Sequence, residues 1–205
     1  PWISSQFQED YINKDKDNYI LKYNYENRLI VRMGYNYSYN SAGGALVNNT
    51  ITTNSYSIRA GFESAGNILY GISKMINMRK NKDGEYAILG IPYAQYLKGD
   101  FDFAKNIIID HRNSLAFHAG IGIAVPYGNA KVVPFEKRYF SGGANSVRGW
   151  SVRNLGPGSF AGDGNFMNQS GDIKLDASIE YRTRLFWKFR GAAFIDAGNI
   201  WTIRE

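Results

Sequence analysis

The chain has 205 residues, a formal charge of +6, no cysteine, 15 tyrosines and 22 glycines against 5 prolines. The lack of cysteine excludes a disulfide framework and a thiolate metal site, and the basic residues are too dispersed for a nucleic-acid surface. No apolar run approaches the roughly 18 residues of a membrane-spanning helix, and nothing at the start resembles a signal peptide. Tyrosine, glycine and alternating apolar residues point to β structure. The first residue is Pro rather than Met, which suggests a piece of a longer protein.

Residues 1–28 are mixed, and the polar run Asp10–Asn18 predicts a loop with a short helix. From Leu29 the pattern sharpens. Leu29, Val31, Met33, Tyr35, Tyr37 and Tyr39 alternate with Ile30, Arg32, Gly34, Asn36, Ser38 and Asn40, the period of two that marks a strand. A turn over Ala42–Thr53 follows, then a second strand over Ser55–Glu63 with Tyr56, Ile58, Ala60 and Phe62 on one face. Residues 65–90 form a longer connection, and apolar spacing over 68–78 predicts a short helix on the rim.

The third strand is expected over Pro92–Asn106, with Leu97, Phe101 and Phe103 opposite Lys98, Asp100 and Asp102. A turn at Asp110–Asn113 leads to a fourth strand over Leu115–Tyr127. A long loop, 128–170, precedes a fifth strand in which Ile173, Leu175, Ala177, Ile179 and Tyr181 alternate with Asp172, Lys174, Asp176, Ser178, Glu180, Arg182 and Arg184. The sixth strand, Phe189–Trp201, carries Phe189, Ala193, Ile195 and Ala197 on one face and Arg190, Ala192, Phe194, Asp196 and Gly198 on the other.

Alternation alone fits a soluble sandwich as well as a membrane barrel. Three features favour the barrel. The strands approach the 9–11 residues of a tilted membrane crossing, short and long connections alternate, and aromatic residues gather at strand ends. Six strands do not close a barrel, since eight is the usual minimum, and open edges in lipid leave backbone groups unpaired. Further strands beyond both ends, or supplied by other copies, are therefore expected.

The long loop contains Glu136-Lys-Arg-Tyr-Phe-Ser-Gly-Gly-Ala-Asn-Ser-Val-Arg-Gly-Trp150. An arginine on a glycine-rich tip with apolar neighbours is suited to insert and meet acids. Val147-Arg148-Gly149-Trp150 resembles the Val-Arg-Gly-aromatic motif of the outer-membrane assembly and two-partner-secretion superfamily, the BamA/TamA type of bacterial surface antigen. Phe135-Glu136-Lys137, Phe140-Ser141-Gly142-Gly143 and Leu155-Gly156-Pro157 resemble the family's approach to that loop and its exit. Phe194-Ile195-Asp196-Ala197-Gly198 is similar to its Phe-x-Asp-x-Gly strand, and Glu180-Tyr181 to its strand-borne glutamate. The resemblance spans roughly residues 29–205, with Trp150 in place of the commoner Phe or Tyr.

It implies an all-β, antiparallel transmembrane barrel, here partial, with about six late-middle strands and the 128–170 loop folded into the lumen. Residues 1–205 would then be part of one C-terminal barrel domain in the bacterial outer membrane. The periplasmic POTRA domains that precede the barrel in the family have no counterpart in this sequence. The resemblance also implies that Arg148 meets Glu180 and Asp196, which strand parity puts on the polar side, with Gly142, Gly143, Phe194 and Gly198 in support. The implied activity is insertion of barrel proteins or translocation of polypeptides, with no covalent chemistry and no cofactor. Implied partners are the outer-membrane bilayer, unfolded outer-membrane or secreted clients and accessory lipoproteins, but no nucleic acid. A passive channel or receptor barrel is the alternative, and a soluble β-rich binding domain a third.

Other signals are weaker. His111 and His118 are the only histidines, and no nucleophile elbow accompanies them. Asp100 and Asp102 share a strand face and read as barrel-interior charges rather than an acid/base pair. Gly162-Asp-Gly-Asn165 lacks the full ligand spacing of a calcium loop, and Gly156-Pro-Gly158 lacks the Lys-Ser/Thr of a phosphate loop.

Overall fold

A computed structural model describes residues 27–42, 46–47, 50–51, 53–159 and 169–203. The expectations for the first 26 residues and for Gly162–Asn165 lie outside the described residues. Six long strands form one sheet: β1 (Arg32–Asn40), β4 (Ser55–Ala65), β7 (Tyr96–Ile108), β8 (Asn113–Pro126), β9 (Ile173–Arg184) and β10 (Arg190–Trp201). Their order in the sheet, β1-β4-β7-β8-β9-β10, is their order in the chain, and β8, β9 and β10 pair antiparallel. Strands consecutive in the chain commonly pair, and here they do so across both short and long connections.

The strands hold 9 to 14 residues, enough to cross a hydrocarbon layer at a tilt. Period-two alternation gives the sheet two unlike faces. Met33, Tyr35, Phe101, Leu175, Ile179 and Ile195 stand bare on the apolar one, Ile195 at 75% exposure. No described element covers that face. A water-soluble sandwich would bury it, so its natural solvent is lipid. The polar face carries Asp102, His118, Asp176, Glu180 and Asp196, several of them covered by the long loop.

Local chemistry moves two boundaries from where periodicity predicts them. The helix, α1, spans Asn67–Met75 and stops short of residue 78. Asn77 takes a left-handed φ of 50°. Its N–H then bonds the Lys74 carbonyl at 3.2 Å, and the Met78 N–H bonds that of Ser73 at 2.9 Å, which closes the last turn.

The third long strand begins at Tyr96 rather than Pro92. Leu89 and Gly90, with φ of 50° and 80°, make a tight turn between β5 (Ala87–Ile88) and β6 (Ile91–Pro92). The Ala94 N–H then pairs with the Leu29 carbonyl at 2.9 Å. Within the expected 42–53 turn, β2 (Leu46–Val47) pairs with β3 (Thr50–Ile51).

The chain divides into two contact units. The first takes the chain up to Gly34 with Glu63–Lys98 and Ala124–Arg138. Its buried apolar residues include Ala65, Tyr93, Ala94, Tyr96, Ala124, Ala130 and Val133. Asn129 links them: its amide bonds the Tyr86 and Tyr93 carbonyls at 2.9 and 3.0 Å, and its N–H bonds the Gln95 side chain at 2.8 Å.

The second unit takes Tyr35–Phe62, Gly99–Ile123 and the chain from Tyr139 onward. The β7–β8 turn within it is tied by Asp110, whose carboxylate accepts from the Arg112 and Asn113 N–H groups at 2.7 and 2.9 Å. The Asn113 side chain and the Arg112 N–H hold the Asp110 carboxyl below its usual range. This support is present above the ordinary carboxylate pKa and is lost as pH falls through the lowered one.

Ile179 lies mid-strand on the bare face. We expect Ile179→Arg to destabilise the full-length barrel in lipid vesicles by about 2–4 kcal/mol if it sits near the midplane, and Ile179→Leu to cost less than about 1.5 kcal/mol. Urea titration of the vesicle-embedded protein measures both, and equal tolerance of Arg and Leu would argue against a lipid-facing position.

Candidate functional site

Register creates the floor of the site. Across β8, β9 and β10, Ala116, Glu180 and Phe194 form one row, His118, Ser178 and Asp196 the next, and Gly120, Asp176 and Gly198 a third. All nine belong to the polar face. Small residues alternate with acids, so the surface is pitted and negative.

Arg148 descends onto this floor from the long loop. Its Nε and Nη2 donate to the two oxygens of Asp196, each at 2.7 Å, and its backbone N–H donates to Asp196 Oδ2 at 3.0 Å. Nη1 donates to Glu180. The guanidinium carbon lies 3.6 Å from the centroid of the Phe194 ring. A planar fork meeting a carboxylate through two parallel bonds is the geometry that Arg supplies and Lys does not. The other oxygen of Glu180 accepts from Arg182 Nε at 2.5 Å. Two cations and two carboxylates thus balance. The Asp196 side chain keeps only 4% of its exposure, so its charge depends on Arg148 for compensation.

The loop is shaped to deliver that arginine. The Gly143 N–H bonds the Trp150 carbonyl at 2.7 Å, and the Trp150 N–H bonds the Val147 carbonyl at 3.2 Å, which folds residues 143–150 into a compact turn. Gly142 has a φ of 95°, and a Cβ there would lie 2.3 Å from the Ser151 carbonyl oxygen. Val147 is buried against Gly198, where an added Cβ would meet the valine at 3.0 Å. The Phe-x-Asp-x-Gly pattern is thereby explained residue by residue, since Phe194 stacks, Asp196 binds and Gly198 leaves room.

Gly149 and Trp150 play lesser parts. A Cβ at Gly149 would meet open space, and nothing in the structure explains a glycine there. The Trp150 side chain is exposed and contributes through its backbone.

Further contacts fasten the loop, and sequence reasoning missed them. Tyr139 inserts over Gly122, where a Cβ would lie 2.5 Å from its ring, and its hydroxyl donates to Asp100 Oδ1 at 2.6 Å. Tyr139 also pairs with Gly171 through two backbone bonds of 2.8 Å. At the loop exit, the Gly158 N–H bonds the Ile200 carbonyl at 2.8 Å, and the Asn199 amide bonds the Gly158 carbonyl at 2.7 Å.

In the first unit, Lys137 reaches Glu63 at 3.0 Å, and Tyr96 and Arg32 bond the same carboxylate. One signal was available: Gly120 and Gly122 sit at consecutive polar-face positions of β8, and such gaps in a strand mark close approach by another segment.

Asp102 meets His118 Nε2 at 3.3 Å, and Asp100 is engaged by Tyr139. Both aspartates thus have a partner on the polar face. Among the described residues, no three His, Asp or Glu side chains converge with metal-binding geometry.

Residues 4–205 match the profile of the Omp85 superfamily domain. Over 90 residues, 40% of this chain, the sequence is 33% identical to the outer membrane protein assembly factor BamA of Neisseria meningitidis serogroup B, and the matched part spans 11% of that protein. The structure of BamA from Haemophilus ducreyi lacking POTRA domains 1–3 aligns with a TM-score of 0.43 at 17% identity, over 84% of this chain and 42% of that one.

The fit of Tyr139 to Gly122 gives a direct check. Gly122→Ala is expected to displace the ring and raise protease cleavage within 138–158 of the full-length barrel. Tyr139→Phe, which keeps the ring but loses the hydroxyl's bonds to Asp100 and the Gly99 carbonyl, about 1 kcal/mol per hydrogen bond, should have a smaller effect. With Tyr139→Ala as the second single variant, its effect and that of Gly122→Ala should be strongly non-additive in the double variant; simple additivity would mean the two residues do not act on one contact.

Proposed function

The chain belongs to the Omp85 superfamily, and we propose that it forms the loop-bearing wall of an outer-membrane β-barrel that inserts or translocates other polypeptides. Family membership supports outer-membrane protein assembly or translocation in general terms. The more specific assignment draws on one observation, the engagement of Arg148 by Asp196 and Glu180. In a closed barrel these acids face the lumen, so the contact holds the loop inside. A loop fixed there occupies the space through which a passive channel would conduct.

The work proposed for this protein is mechanical and electrostatic, with no bond made or broken. Clients are unfolded outer-membrane or secreted chains, and accessory lipoproteins are proposed partners of the complete protein. Strand edges present unpaired N–H and C=O groups that template an incoming strand, and a loop braced across the inner wall stiffens the barrel against that load.

The test uses the full-length protein with Arg148→Ala, Arg148→Lys and Asp196→Asn. Loss of the charge-assisted bonds in Arg148→Ala should lower client assembly about tenfold and open residues 138–158 to protease. Arg148→Lys should recover only part of the activity, because an ammonium cannot form the two-pronged contact. Normal assembly with a protease-resistant loop would overturn the proposal. A large, steady conductance from the unmodified protein would favour a passive channel instead.

A further inference from the structure

Helix α1 and the β5–β6 hairpin fill the connection between β4 and β7, all within the first unit. One side of α1 is occupied. Ser73 is buried and accepts a hydrogen bond from the Tyr93 hydroxyl at 3.3 Å, and the Tyr70 ring meets Tyr86 edge-on at 5.8 Å. The opposite side is bare. Ile68, Ile72 and Met75, followed by Ile76, recur at helical spacing, and all are exposed, Met75 at 80%. Leu89 at the hairpin tip is 98% exposed.

The helix start is tied to the strand that opens the surface already assigned to lipid. The Gly66 N–H, at the helix start, bonds the Val31 carbonyl at 2.9 Å. Val31 and Met33 open the exposed apolar row that continues along β1. A Cβ at Gly66, whose φ is 76°, would lie 2.3 Å from the Ala94 carbonyl oxygen, so the helix start is clamped against the chain beside it.

Cations border the stripe. Lys74 and Lys80 rest their ammonium groups 5.0 and 5.2 Å from the Tyr70 and Tyr86 ring centres. Arg79 and Lys82 are exposed beside them. Asp83 is the exposed acid in this stretch, since Glu85 is buried and paired with Arg28 at 3.2 Å.

We propose that α1 and the hairpin tip lie in the plane of the membrane at the long-connection end of the strands. The aliphatic stripe enters the acyl boundary, and Lys74, Arg79, Lys80 and Lys82 meet the phosphates of anionic lipids. An apolar stripe flanked by basic residues is the pattern of an interfacial helix. Each cation near an anionic surface adds attraction that salt screens. A protein partner fits less well, because binding hot spots are built around Trp, Tyr and Arg, whereas this stripe is Ile and Met with its tyrosines turned inward. The inference rests on the outer-membrane placement of the strands.

The chain has no cysteine, which suits site-directed spin labelling of the full-length protein with any other cysteine removed. Labels are placed by Ile72→Cys and Met75→Cys, with Met33→Cys as the lipid reference and Asp83→Cys as the water reference. In vesicles containing anionic lipid, the Ile72 and Met75 labels should meet oxygen as often as the Met33 label does. They should meet a water-soluble nickel complex several-fold less often than the Asp83 label. Purely zwitterionic vesicles, or Gln at the four cationic positions, should shift both labels toward water.

Nickel access at Ile72 and Met75 equal to that at Asp83 would overturn the proposal, as would shielding from both reagents, which would show that protein covers the stripe. A Met33 label that behaves as water-exposed would instead fault the membrane placement of the strands.

Discussion

The organisation of the polar face depends on one two-pronged contact between a guanidinium and a carboxylate. Asp196 is nearly buried and accepts three hydrogen bonds from the same residue, two from the side chain and one from the backbone. A carboxylate so enclosed is tolerable only with a cation fixed beside it. The surrounding chemistry follows from that requirement: a ring beneath the guanidinium, a second acid at its far edge, and glycines that let the loop come close. Val147 sits in the space that Gly198 leaves, so apolar packing and charge pairing act in adjacent rows, two residues apart on one strand.

The sheet presents two chemically opposed surfaces, and the loop and the bilayer divide them. Apolar side chains that a soluble protein would hide stand bare on one side, while acids and glycines on the other receive the loop. Membership in the Omp85 superfamily makes the bare side the lipid side. The hairpin tip after β9 fits this division: Phe186, Trp187 and Phe189 cluster there with ring centres 5.3 and 6.1 Å apart. Of these, the amphipathic Trp187 indole favours the boundary between headgroup and acyl chain.

Much of this was legible from residue order. Alternation located all six long strands, because a sheet with one wet or packed face and one oily face writes its period directly into the chain. Parity also placed Glu180, Phe194 and Asp196 on one side. Boundaries were less legible where left-handed residues intervened. Asn77 and Leu89 are ordinary letters in a periodicity count, yet each redirects the chain. The contacts of Tyr139, Lys137 and Glu63 stayed hidden for another reason. They join positions far apart in sequence, and an isolated tyrosine, lysine or glutamate carries no mark of its partner. Gly149 shows the converse, a residue within a recognisable motif for which the geometry reveals no steric need.

The three rows that receive the loop exist in only one alignment of β8, β9 and β10. Side chains alternate sides with a period of two, so a slip of one residue turns a strand's whole set over. Gly198 would then no longer lie beside Asp176, Asp196 would point into the oil, and Val147 and Arg148 would find neither hollow nor acid. Seating of the loop thus requires correct strand alignment, since only a correctly paired wall offers both the hollow and the acids.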